Sequence, residues 1–97
     1  MCEFKIIKQN DNKQIGEEIV VAQYSEQDQL LLKDILGSAI TLESALIVDV
    51  NTLNQTLTIL EHPLINDFIK LIKLIVNNEG TSEKINAFQK KLEKFKK

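Results

Sequence analysis

The stretch Thr56-Leu57-Thr58-Ile59-Leu60-Glu61-His62-Pro63-Leu64 decides how the chain is divided. Up to Leu60, threonines alternate with apolar side chains, the period-two pattern of a half-buried strand. At His62-Pro63 the pattern changes. Proline suits the first turn of a helix, where its missing N–H costs nothing. From Leu64 to Val76 the polar residues Asn66, Asp67, Lys70 and Lys73 interrupt an otherwise apolar run. That spacing predicts a helix with a wide buried face. Strands are therefore expected before residue 62 and helices after it.

Upstream, turn signals separate short strand-like runs. Cys2, Phe4 and Ile6 alternate with Glu3, Lys5 and Ile7 before the turn Asn10-Asp11-Asn12-Lys13. Ile15 to Tyr24 contains the β-branched run Ile19-Val20-Val21, and Ser25 to Asp28 turns again. Leu30-Leu31-Leu32 is a third strand, ending in Asp34-Ile35-Leu36-Gly37. Ala39 to Leu42 is the fourth, Ala45 to Val50 its neighbour, and Thr56 to Leu60 closes the series. Short strands at this spacing predict an all-β barrel or sandwich. At about 60 residues a small, strongly bent antiparallel barrel is the expected solution, since closure removes exposed edges. Gly37 suits a bulge or sharp bend.

Downstream, Asn77 to Gly80 ends the first helix, and Thr81 or Ser82 can cap a second. Ile85, Phe88, Leu92 and Phe95 then recur at helical spacing, with lysines crowding the end. The predicted class is mainly β: a barrel over residues 1–62 and a helical hairpin over 63–97. The first helix is too apolar to stand alone. It must pack on the barrel, on the second helix or on another copy of the chain.

The net charge of −2 hides an asymmetry. Residues 1–62 carry four lysines against ten carboxylates, a net of −6, and residues 63–97 carry eight lysines against four, a net of +4. The acidic part is a poor surface for nucleic acid, whose phosphates supply most non-specific affinity. It is compatible with cations. The first ten residues lack the apolar core of an export signal, and the longest apolar run is too short to span a bilayer. With a single cysteine, these features predict a reduced thiol and a cytoplasmic location.

That cysteine, Cys2, is the most informative residue. The residue after an initiator methionine governs its trimming, and cysteine is small enough that removal of Met1 is expected. Cys2 would then offer an α-amine and a thiol that close a five-membered chelate ring. Both have reference pKa values near 8, close enough to neutral for a metal to displace their protons. Planar sulfur and nitrogen donors suit Ni(II) or Cu(II). One copy supplies two donors, or three with the deprotonated amide of Glu3. Two copies facing each other supply four, which points to a metal shared across a homodimer. The competing reading is that Cys2 is a small apolar residue at a strand end.

The opening Met1-Cys2-Glu3, the segment Glu17-Glu18-Ile19-Val20, the turn Leu32-Lys33-Asp34-Ile35-Leu36-Gly37, and Ile47-Val48-Asp49-Val50 with Thr58-Ile59-Leu60-Glu61 resemble the CooT family of small nickel-binding proteins. The resemblance covers roughly residues 1–62 and rests on the order and spacing of short motifs. It implies an SH3-like or Sm-like barrel that forms a homodimer. It implies a nickel site at Cys2, and nickel delivery to an enzyme such as carbon monoxide dehydrogenase. The extension Pro63 to Lys97 departs from the short family members.

Other residues carry weaker signals. His62, the only histidine, is a possible metal ligand but reads better as a solvent-exposed residue at the strand-to-helix junction. The Glu3 side chain should point away from Cys2 on a strand. Asp34 reads as a turn residue bonding local backbone. Glu17 and Glu18 fail as an acid/base pair because strand neighbours face opposite ways. The lysine-rich end reads as a solvated helix face rather than a site for RNA or lipid. No phosphate loop, Cys-x-x-Cys or His-x-x-x-His is present, so no enzyme is expected. The alternative function is an Sm-like interaction module binding RNA or a protein partner.

Overall fold

The computed structural model describes residues 3–97. Six strands precede two helices: β1 (Phe4–Lys8), β2 (Lys13–Tyr24), β3 (Leu30–Asp34), β4 (Ala39–Leu42), β5 (Ala45–Asn51), β6 (Thr56–Glu61), α1 (Pro63–Val76) and α2 (Ser82–Glu93). The chain is mainly β, with the change to helix at Pro63. The strands form one sheet in the order β4-β3-β2-β1-β6-β5.

The hairpin turns follow from their residues. Asn12, Asp28, Gln55 and Gly37 adopt positive φ within the turns, a conformation that Asn, Asp and Gly tolerate best. The Asn51 side chain accepts from the N–H groups of Leu53 and Asn54, both at 3.0 Å. Asp34 accepts from Leu36 and Ser38, both at 2.9 Å, beside Gly37 at φ +90°. This is the local turn role expected of Asp34.

Two features depart from the antiparallel barrel read from the sequence. First, β1 and β6 pair in parallel, from Lys5 opposite Thr56 to Lys8 opposite Ile59. The cause lies at Glu43-Ser44. A hairpin there would give five reversals between β1 and β6 and make them antiparallel. Instead β4 and β5 do not pair, and the link turns a corner. One reversal is lost, and β6 returns parallel to β1. Second, β4 and β5 are the two ends of the sheet, so backbone pairing does not close it among the described residues.

The sheet nevertheless rolls around one core. Ile6, Ile19, Leu30, Leu32, Ala45, Leu57 and Ile59 are buried together, drawn from five strands, and Leu42 of β4 packs against them. The bending is concentrated in β2. Around Ile19, three steps from Gly16 to Ile19 oppose two from Ile6 to Phe4, and two steps from Ile19 to Val21 oppose one from Asp34 to Lys33. Ahead of these, two steps from Gln14 to Gly16 oppose one from Ile7 to Ile6. Each extra residue is a bulge, which bends a strand and increases its twist. Glu18, at φ +56°, occupies the one just before Ile19. Ile19 sits between the two that flank it, opposite Phe4 of β1 and Asp34 of β3. At Gly16 a Cβ would come within 3.4 Å of both Ile6 and Ile40, so the missing side chain lets β4 fold over β1.

Tyr24, at the end of β2, fastens the roll. Its hydroxyl donates to the Ala45 carbonyl at 2.8 Å and accepts from the Ile47 N–H at 3.3 Å. It thereby ties β2 to β5, which is not its hydrogen-bonded neighbour in the sheet.

The helices meet the sheet at the corner. Ser44 donates to the His62 carbonyl and accepts from the Asn66 N–H at 2.9 Å. The Asn66 amide donates to the carbonyls of Gln27 and Asp28, each at 3.0 Å. Toward α2, Asp67 pairs with Lys91 at 2.7 Å, and the rings of Phe68 and Phe88 lie 5.8 Å apart. The wide buried face expected of α1 is not found, since no residue of either helix is fully buried. Sheet and α2 each cover one flank and leave a third open. Thr81 holds the N-cap position of α2 without a side-chain hydrogen bond to the helix, so that expected cap is absent.

Burial pushes the Tyr24 phenol above its ordinary value of 10.0, and the bond from Ile47 pulls it partly back. A raised acid in the folded state favours folding fully below pH 10, and that contribution is lost as pH rises through the raised value. Tyr24→Phe should cost about 1 kcal/mol at neutral pH, as for one lost hydrogen bond. The gap between wild type and variant in urea unfolding should narrow above pH 10. A gap that stays constant into alkali would show that the phenol is not held in this way.

Candidate functional site

Cys2 lies outside the described residues. Glu3 is half-buried and stands just ahead of β1. The Lys5 N–H donates to the Gln55 carbonyl at 2.9 Å, which ties this end of β1 to the β5–β6 turn. Phe4 lines an apolar cleft of about 250 Å³ with Ile19, Val21, Ile47, Val50 and Leu57. The cleft lies where β2 and β5 approach each other without pairing. No charged side chain lines it. The entry to β1 therefore stands beside an apolar cleft at the seam of the roll.

His62 belongs to the other end. β1 runs parallel to β6, so its Phe4 end lies near Thr56, while Lys8 reaches Glu61 at 3.4 Å. At about 3.3 Å per strand residue, Glu3 and His62 are separated by on the order of 20 Å, far beyond the roughly 2 Å reach of metal–ligand bonds. His62 is not the solvent-exposed junction residue expected. It is half-buried and caps α1, with Nδ1 accepting from the Leu64 N–H at 3.1 Å. Its ring meets Phe95 edge-on, with centroids 4.7 Å apart. Pro63 follows at the first helical position.

Glu17 and Glu18 require a different argument from strand alternation. Glu18 sits in the bulge, alternation fails there, and both side chains are exposed. Neither meets a base or a cation among the salt bridges of the described residues. Among the described residues, no three of His, Cys, Asp and Glu come together as a metal-holding group.

A second recess, of about 510 Å³, lies between α1, α2 and the β2–β3 turn. Leu71, Leu74 and Phe88 line it together with Lys70, Lys73, Lys84 and Lys91. Two of these lysines are engaged, Lys91 with Asp67 and Lys73 with Asp28. The expected solvated lysine face is thus partly an ion-paired one. Asp28 combines positive φ with a side chain only 5% exposed, while the Lys73 side chain is 56% exposed. Asp28, Asn66 and Tyr24 escaped the sequence reading. Asn66, a lone amide in the first turn of an apolar helix, was the one detectable signal.

No protein-family model and no curated protein matches the chain.

The asymmetry of the Asp28–Lys73 pair gives a direct test. Lys73→Met strands a buried carboxylate and should cost roughly 1–3 kcal/mol. Asp28→Asn, which returns an exposed ammonium to water, should cost less. Added to Lys73→Met, Asp28→Asn should recover part of the loss in urea unfolding. A Lys73→Met protein as stable as wild type would mean that the pair does not hold α1 to the sheet.

Proposed function

We propose that this chain is a carrier of divalent nickel, taken as cargo by the thiolate of Cys2 and, once Met1 is removed, by the amine of the same residue. Thiolate and amine form a five-membered chelate, the two donors each copy brings, and the deprotonated amide of Glu3 is the alternative donor that one copy can add. Two copies together complete a four-donor set suited to a planar ion. The observation that carries the reading is the position of the only cysteine, two residues ahead of the first strand residue, Phe4. The resemblance of residues 1–62 to the CooT proteins supports it. On this reading the rolled sheet is an SH3-like or Sm-like barrel, and the two helices are an appended hairpin. The protein works as a homodimer in the cytoplasm, where thiols stay reduced. It is not an enzyme. Ligand exchange passes the ion to a nickel enzyme such as carbon monoxide dehydrogenase. The same donors take other divalent transition metals, with Cu(II) the strongest competitor by the usual affinity order.

Native mass spectrometry of untagged protein tests this directly. The expected result is loss of Met1 and about one nickel per two chains, abolished in Cys2→Ala. Retained Met1, or a Cys2→Ala protein that still takes up nickel, sinks the mechanism.

A second reading, an interaction module, is favoured by β5, an end strand of the sheet with no second partner strand among the described residues, although Tyr24 occupies its outward groups at Ala45 and Ile47. Leu46, Val48 and Val50 of β5 are 45%, 46% and 56% exposed, and Val50 lines the apolar cleft. An extended segment of a protein partner can add to such an edge through main-chain hydrogen bonds. RNA is the weaker partner because residues 1–62 carry a net of −6. Val48→Pro should abolish binding of a β-strand peptide and leave the fold intact. Salt-sensitive RNA binding by the whole chain would turn this second reading toward nucleic acid.

A further inference from the structure

The open flank of α1 carries an apolar stripe. Phe68, Ile72, Ile75 and Val76 follow at i, i+4, i+7 and i+8, which makes one helical stripe. They are 49%, 41%, 45% and 72% exposed, and no charged residue falls within the stripe. Leu92 of α2 and Phe95, just beyond its end, are 45% and 49% exposed. With roughly 150–200 Å² for each whole side chain, these six leave on the order of 500 Å² of apolar surface in water, near the upper limit for monomers.

We propose that a second copy of this chain covers the stripe, α1 against α1, antiparallel about a twofold axis near Ile72. The area fits: two such surfaces bury about 1,000 Å² of apolar contact alone, the threshold for a biological interface. An uncharged stripe also suits a twofold contact, in which each residue meets the same surface it belongs to. Charge selects the orientation. Phe95 lies on the His62 ring, so the lysine-rich end of α2 sits beside the start of α1. A parallel pair would bring two such ends together. An antiparallel pair separates them and sets each near the far end of the other α1, which is followed by Glu79 and Glu83.

The α1 contact concerns metal-free protein and a face remote from the entry to β1, so its twofold axis is not that of a Cys2-bridged pair. Nickel held between Cys2 residues would join two such dimers rather than form within one. Sedimentation equilibrium of the full chain in chelator should give twice 11.1 kDa, and Ile72→Glu should weaken the association at least roughly tenfold. In a Cys2→Ser background, Ile72→Cys should cross-link to itself under mild oxidation. Phe68→Cys should cross-link to Ile75→Cys and not to itself. These cross-links decide the matter even if Ile72→Glu fails to fold. A single-chain mass at about 100 µM, a dimer untouched by Ile72→Glu with neither expected cross-link, or Phe68→Cys joined to itself would overturn the proposal.

Discussion

The bend in β2 is the constraint on which the rest of the structure depends. A straight strand of twelve residues would carry β1 and β3 on one flat sheet, with one face open to water. Two bulges around Ile19 turn it instead. Its first half pairs with β1 and its second half with β3. The inner residues of all the strands then converge on one core. The cost is local: Glu18 must hold a positive φ, which disfavours a residue with a side chain. The return is burial of seven apolar side chains in a unit of only about sixty residues, a size at which core burial is scarce.

The roll also explains why the helices are where they are. Bending brings the β2–β3 turn and the β4–β5 corner to the same end of the sheet. There Asp28, Ser44 and the carbonyl of Gln27 receive the start of α1. Charge reinforces the arrangement, since the sheet portion is acidic and the helical portion basic. The Asp28–Lys73 pair is where these two charges meet with the least water between them. Such attraction between the more exposed groups is screened by salt, so the Asp28–Lys73 pair and the hydrogen bonds of Asn66 and Ser44 hold the junction.

Much of this was legible in the chain. Alternation and turn residues located all six strands to within a few residues, and Pro63 marked the change to helix. Asp34 behaves as a turn residue, as its place before Gly37 implies. What escaped were consequences of pairing between distant segments. Nothing local in Glu43-Ser44 says corner rather than hairpin, so the parallel ladder and the open seam could not be read. At Glu17 and Glu18 the bulge breaks the alternation that local sequence implies. His62 was read as exposed because its partners, Leu64 aside, come from residues 44 and 95. The candidate site divides in the same way. Glu3 stands at the end of the sheet beside the apolar cleft, whereas only chemistry and resemblance point to Cys2.

The central claim, that a left-handed residue at the β2 bulge creates the roll, is tested most directly at position 18. Glycine adopts positive φ without strain, and a β-branched residue does so worst. Comparing the unfolding free energies of Glu18→Gly and Glu18→Val isolates this effect, since the side chain is exposed in the wild type. The account predicts that Gly is at least as stable as Glu and that Val is destabilised by about 1–3 kcal/mol. Equal stability of the two variants, or a preference for valine, would contradict it.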